Sequence, residues 1–236
     1  MVAGCGLLSM TSSACQSTEQ ESAKIGRESQ HQAAGPGALK LGAASHSVRV
    51  SDVTLLSSGG RLAVAARLTN TSARPQTDVP LLVSVTGKDG KILYSNETGG
   101  VEASLQRIAL LRPHQSAWWV DDQVLTSGRA LAVELRVGTG SKPRSSAFPA
   151  IGTTATRIAQ QFGVSTLSAS LVNHSSRGDG KVPVFGVALR AGRVVAAGRA
   201  VVGALPAHQG ASVPFQMVLV GNPAGATLEL TAVPSA

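Results

Sequence analysis

The sequence predicts an all-β protein built from two consecutive β-sandwich domains, and three observations lead to that prediction. Short runs alternate apolar and polar residues, turn signals recur about every 8–12 residues, and one residue spacing occurs in both halves. Hydrophobic residues make up 43% of the 236 residues but aromatic residues only 3%. The cores must therefore be built mainly from Val, Leu, Ala and Ile.

The N-terminal segment, residues 1–38, precedes the predicted domains and changes character abruptly at Cys15. Residues 1–15 are apolar or small and carry no charge, whereas residues 16–38 are rich in Gln, Ser and Glu and end in Gly and Pro. An apolar stretch before a cysteine, followed by a polar tether, is typical of the end of an export signal. We expect the tether to be disordered or to form a short helix, since it has almost no apolar residues to pack on the body.

This segment resembles the signal peptides of bacterial lipoproteins, in which an aliphatic residue and two small residues precede the cysteine that receives the lipid. Val2-Ala3-Gly4-Cys5 fits the motif better, but Cys15 has the better context, with apolar residues before it and the tether directly after it. The resemblance implies lipidation of Cys15, with Cys5 as the alternative, and an extracytoplasmic protein anchored to the cell membrane. Because the basic region of a signal peptide is missing, we expect translation to start upstream of Met1.

The first domain is predicted over residues 39–138, where seven short strands follow one another. The first strand alternates apolar and polar residues if one β-bulge is allowed, and Asp89-Gly90 supplies the positive-φ residues of a tight hairpin. Seven short strands in about 100 residues are typical of an immunoglobulin-like sandwich. The predicted strands cover residues 47–56, 61–69, 79–85, 91–94, 105–110, 117–124 and 131–137.

The second domain is predicted over residues 154–236, after a linker at residues 139–153 that is rich in Gly, Ser and Pro. One helical turn is expected at residues 157–162, and the alternation of apolar and polar residues then resumes. The predicted strands of this domain cover residues 164–172, 182–189, 193–200, 211–220 and 226–233.

A shared spacing indicates that the two halves are an internal repeat. Asn70 precedes Pro80 by ten residues, as Asn173 precedes Pro183. Asn closes turns and Pro suits the start of a strand, so we interpret the shared residues as structural. A His-Gln pair also recurs later in each half, which predicts equivalent turns at His114 and His208.

The first module resembles the small immunoglobulin-like domains of bacterial envelope proteins, including the FxLyD type. The resemblance rests on the order of strand, Asn-x-Ser turn, strand and Asp-containing hairpin over roughly residues 45–137. The composition, rich in Ala, Gly, Val and Arg, resembles that of actinobacterial proteins. The resemblance implies an architecture, and it transfers no catalytic residue.

Two pairs of adjacent residues are the candidates for a functional site. Trp118 and Trp119 lie in a predicted strand, so one side chain enters the core and the other faces solvent or the neighbouring domain. An exposed Trp there would be a contact for a sugar or a protein partner. Asp121 and Asp122 point to opposite faces for the same reason, so they do not converge on one bond as paired catalytic carboxylates do.

The remaining sequence patterns argue against a catalytic or metal-binding site. Both cysteines lie in the first fifteen residues, the histidines lack metal-ligand spacing, and no nucleophile or phosphate-loop motif is present. We therefore predict no metal site, no cofactor and no enzymatic activity. The net charge of +8 is spread along the chain, and few aromatic residues are present to stack on bases, which argues against nucleic-acid binding.

We therefore expect a non-catalytic lipoprotein of the cell envelope that acts as a protein-interaction or structural module. Its partners would be the membrane, through the lipid anchor, and either another envelope protein or a wall polymer. The alternative is a carbohydrate- or solute-binding lipoprotein that uses an exposed Trp118 or Trp119. The sequence does not indicate an oligomeric state.

Overall fold

The computed structural model describes residues 38–98, 100–143 and 148–235, and the protein is all-β in these ranges, as predicted. The one helical segment that they contain is the 3₁₀ turn Ala103–Leu105. All described residues belong to one compact unit. None of the described segments forms a helix with the length and hydrophobicity that a membrane crossing requires.

The first half contains seven strands in two antiparallel sheets. They are β1 (Val48–Ser58), β2 (Arg61–Asn70), β3 (Gln76–Thr86), β4 (Ile92–Ser95), β5 (Arg107–Leu111), β6 (Ser116–Val124) and β7 (Ala132–Val137). One sheet has the order β1–β2–β6, and in the other β3 pairs with β4, β5 and β7. The bulge expected in the first strand lies between Ser51 and Thr54, where Asp52 has a φ of 54°.

The second half contains six strands in one antiparallel sheet. They are β8 (Ile151–Gln161), β9 (Val164–Asn173), β10 (Val182–Arg190), β11 (Arg193–Val202), β12 (Ser212–Gly221) and β13 (Thr227–Ala232), in the order β13–β10–β11–β12–β9–β8. Apolar residues of β9, β10, β11 and β12 share one buried cluster. The close approach of β11 and β12 requires Gly198, where a Cβ would lie 2.2 Å from the Val218 carbonyl oxygen.

The pairing pattern of the first half recurs in the second. β2 lies between β1 and β6 as β9 lies between β8 and β12. Likewise, β3 pairs with β7 as β10 pairs with β13. The repeated spacing in the sequence therefore accompanies equivalent strand pairing.

The two repeated asparagines make equivalent hydrogen bonds. The Asn70 Oδ1 accepts from the Ser72 N–H (3.0 Å), and the Asn70 Nδ2 donates to the Arg74 carbonyl (2.8 Å). Asn173 makes the same two bonds to the residues two and four positions on, at 2.9 and 2.6 Å. Both asparagines are fully buried. These bonds support the structural interpretation of the repeat, because a buried amide needs partners for its donors and acceptors.

The turns at His114 and His208 were predicted to be equivalent, but the structure shifts the equivalent position in the second half by two residues. The carbonyl that accepts from the repeated Asn N–H belongs to Gln115 in the first half and to Ala211 in the second, at 2.9 Å in both. The residue before each has a positive φ, 56° at His114 and 82° at Gly210. His114 therefore corresponds to Gly210, and its predicted match with His208 is wrong, because the backbone requirement at this turn is left-handed geometry.

The β1–β2–β6 sheet is covered on both faces. Four consecutive residues of β2, from Ala63 to Ala66, are fully buried, which is typical of strands with packing on both sides. The buried cluster on this sheet includes residues of β3 and β5 and also Phe185 and Val187 of β10. Apolar side chains of both halves thus share one core. The division into two domains around residues 139–153, and the immunoglobulin-like character of each half, stay predictions.

The helical turn expected at residues 157–162 is wrong, because these residues lie in β8 and the turn after it. β8 pairs with β9 from Ile151, opposite Asn173, to the last residue of the strand. Phe162 and Gly163 form the connecting turn with φ values of 49° and 77°. Strand pairing outweighs the helix preference of the Ala and Gln residues here. β8 also includes the last three residues of the predicted linker.

Candidate functional site

The two tryptophans of β6 point to opposite faces, as predicted. The Trp119 Nε1 donates to the Ser104 carbonyl (2.8 Å) in the 3₁₀ turn of the first half. The Trp118 Nε1 donates to Oε2 of Glu229 (2.6 Å), and the Trp118 N–H donates to Oγ1 of Thr231 (3.2 Å), both on β13. Trp118 therefore faces the second half of the protein, and Trp119 faces the first.

The sequence left two surroundings open for the outward tryptophan, solvent or the neighbouring domain, and the structure shows it packed against the second half of the protein. Trp118 is 4% exposed and Trp119 is 0% exposed, because the β1–β2–β6 sheet is covered on both faces. The Arg67 guanidinium also lies over the Trp118 ring, 5.8 Å from its centroid. Neither indole is accessible to a ligand, so the carbohydrate- or solute-binding alternative loses the site on which it depended.

Asp121 and Asp122 diverge, as their positions in the strand predicted. Asp121 is fully buried and accepts hydrogen bonds from the Tyr94 hydroxyl (2.6 Å) and the Gln123 N–H (3.0 Å). Asp122 accepts from Nε of Arg199 (3.3 Å) on β11. The two carboxylates therefore serve two separate networks and do not converge on a substrate.

Arg199 joins the two halves through a largely buried polar cluster. Its NH1 donates to Oε2 of Glu102 (2.7 Å) and to Oγ of Ser104 (2.8 Å), in addition to the bond from Nε to Asp122. The Arg199 side chain is 6% exposed, against 13% for Asp122 and 40% for Glu102. The cluster pairs one desolvated cation with two carboxylates, an arrangement that is costly to break.

Burial raises the pKa of Asp121 from 3.8 to about 6. The hydrogen bonds from Tyr94 and the Gln123 N–H act in the opposite direction, the nearby Asp122 raises the pKa further, and Arg199 lowers it. Burial and the Asp121 carboxylate likewise raise the pKa of Tyr94 above its ordinary value.

We expect the stability of the protein to fall as the pH rises from about 4 to about 6. The pKa of Asp121 is higher in the folded state than in the unfolded state, so folding is favoured where Asp121 is protonated. The loss is on the order of 3 kcal/mol, measured by urea unfolding at a series of pH values.

Asp121→Asn places a side chain that does not titrate at this position, so it should remove this pH dependence of the free energy of unfolding. An unchanged pH dependence in that variant would contradict the assignment to Asp121. Tyr94→Phe should extend the loss to higher pH, because its hydroxyl lowers the Asp121 pKa.

One end of the first half exposes large apolar side chains. The β1–β2 turn, the β3–β4 hairpin and the β6–β7 connection meet there; we call residues 58–61, 87–92 and 125–131 the open end. Leu125 is 82% exposed, Ile92 59% and Leu131 51%. Beside them lies a groove of about 610 Å³ whose lining includes Leu55 and Leu62.

The other candidates from the sequence add no site in the described ranges. Cys5 and Cys15 lie outside the described residues. No group of three or more His, Cys, Asp or Glu side chains in the described part of the chain is arranged to hold a metal ion.

A second groove, of about 630 Å³, includes Arg74, Gln76 and Lys142 in its lining.

Comparison with known proteins adds no family assignment. The sequence matches no protein-family model and no curated protein.

Sequence reasoning missed Arg199, Glu102 and Tyr94, which complete the two networks around β6. The partners of Arg199 are 77 and 97 residues away in the chain, so no local pattern connects them. The open end had a local signal in the sequence. Leu125 and Leu131 flank the segment Thr-Ser-Gly, and a connection with such turn residues normally lies in solvent and carries polar residues on both sides.

Proposed function

We propose that this protein is a non-catalytic lipoprotein of the cell envelope whose body acts as an interaction module. The observation that carries the proposal is the open end, where Leu125, Ile92 and Leu131 are all exposed. Single exposed apolar residues are common on protein surfaces, but a group of them is typical of a contact surface.

The hydrogen bonds of the candidate residues support the same function. The side chains that a reaction or a ligand would use are engaged in structural bonds: Trp118 with β13, Trp119 with the 3₁₀ turn, Asp121 with Tyr94 and Asp122 with Arg199. The bonds of Trp118 and Asp122 join the two halves of the protein. A compact body with an apolar end suits a module that positions a contact surface beside the membrane.

The anchor rests on the sequence, in which Cys15 ends an apolar stretch and begins a polar tether. Each acyl methylene buried in a bilayer contributes about 0.8 kcal/mol, so two chains retain a protein where one does not. The tether would then hold the body close to the bilayer that contains the lipid.

Cys15→Ala should move the protein from the membrane fraction to the soluble fraction of cells that produce it, because it removes the lipidation site. Immunoblots of the two fractions measure the distribution. Cys5→Ala is the matched control and should leave the protein with the membrane. Recovery of the unaltered protein in the soluble fraction would contradict the proposal.

A further inference from the structure

The three segments of the open end form one continuous surface. Leu62 of β2 pairs with Val124, directly before the β6–β7 connection. The Leu131 N–H donates to the Thr86 carbonyl (2.9 Å) at the base of the β3–β4 hairpin. Gly87 of that hairpin lies against the Arg129 carbonyl. The turns are therefore held together by backbone contacts and present their side chains as a unit.

The open end is positively charged. Arg61, Lys88, Lys91 and Arg129 are all exposed, and Asp89 is the one carboxylate in the three segments, which gives a net charge of 4 − 1 = +3. Within the described ranges, no ion pair involves any of these four cations. Their charges are thus free to meet an anionic partner.

Apolar and cationic residues lie near one another in the sequence of the open end. Leu125 and Arg129 lie in the same connection, and Ile92 directly follows Lys91. This combination matches the interface of a bilayer with anionic lipids, where apolar side chains enter the acyl boundary and Lys and Arg remain among the phosphates. A wall polymer would satisfy the cations but would leave Leu125 and Ile92 in water.

We propose that the open end docks on the surface of an anionic phospholipid bilayer. Leu125, Ile92 and Leu131 enter the interface, and Lys88, Lys91, Arg61 and Arg129 contact the headgroup phosphates. The inference rests on the proposed function, because the lipid anchor would keep the body within reach of such a surface. Each Lys or Arg near an anionic membrane contributes about 1 kcal/mol to binding.

The test is co-sedimentation of the full, unlipidated chain with vesicles of phosphatidylcholine and phosphatidylglycerol in equal amounts. The chain should bind these vesicles and should not bind vesicles of phosphatidylcholine alone. The double variant Lys88→Gln/Lys91→Gln should bind roughly 30-fold more weakly. Leu125→Ser should bind roughly tenfold more weakly, because it removes an inserted side chain.

Matched controls lie on the second half. Lys181→Gln/Arg193→Gln removes the same charge from exposed positions, and Phe162→Ser removes a side chain that is 95% exposed at another hairpin. Both should bind like the unaltered chain. Equal losses in test and control variants would overturn the proposal, since binding would then follow total charge or hydrophobicity.

Two further results would also overturn the proposal. If Leu125→Ser binds normally while the Lys variant does not, the surface recognises anionic charge alone and no apolar side chain enters the bilayer. If the chain does not bind the mixed vesicles at all, the open end has no lipid affinity. Because the chain in this assay carries no lipid, either failure leaves the anchor on Cys15 untouched.

Discussion

Replacing Trp119 with alanine should lower the free energy of unfolding by about 3–5 kcal/mol. The indole is fully buried between β6 and the 3₁₀ turn, and its loss leaves both a large cavity and a Ser104 carbonyl without its donor. Urea unfolding followed by circular dichroism measures the loss, and the remaining Trp118 gives an independent fluorescence signal.

Phe162→Ala is the matched control, since it truncates an aromatic side chain that is 95% exposed. Its effect should stay within about 0.5 kcal/mol. A loss below about 1 kcal/mol for Trp119→Ala would contradict the placement of this side chain in the core.

Arg199→Ala should destabilise the protein by about 3 kcal/mol, the lower end of the range for breaking a buried ion pair. The lower end applies because Glu102 is 40% exposed and regains water easily, whereas Asp122 is left as a desolvated carboxylate. Thermal and urea unfolding both measure the effect. Arg193→Ala, at an exposed position of the same strand, should change stability by about 0.5 kcal/mol or less.

A second substitution separates the charge effect from lost packing. In the background of Arg199→Ala, Asp122→Asn should restore part of the lost stability, because it removes the uncompensated charge. In the unaltered protein the same substitution should be destabilising. Purely additive effects of the two substitutions would contradict a direct interaction between Arg199 and Asp122 across the two halves.

The strands of the fold could be predicted from local patterns because turn chemistry and alternation are local. The bulge near Asp52 and the hairpin at Asp89-Gly90 follow from such signals. β8 was missed because its Gly- and Thr-rich start continues the composition of the linker. Its strand character depends on pairing with β9, which local composition does not reveal.

The burial of the tryptophans could not be predicted from alternation alone. Alternation correctly placed Trp118 and Trp119 on opposite faces, but the Trp118 face is covered by β13, more than 100 positions away in the chain. One local signal was present: the runs Ala63–Ala66 in β2 and Val184–Ala188 in β10 are continuously apolar, which is typical of strands buried on both faces. Those runs indicate the inner layers of the fold.

The mass of the mature N-terminal peptide, isolated from the membrane fraction of cells that produce the protein, tests the proposed lipid anchor directly. We expect a chain that begins at Cys15 and carries a diacylglyceryl group on that residue. An unmodified chain that retains Met1 and is recovered outside the membrane fraction would contradict it.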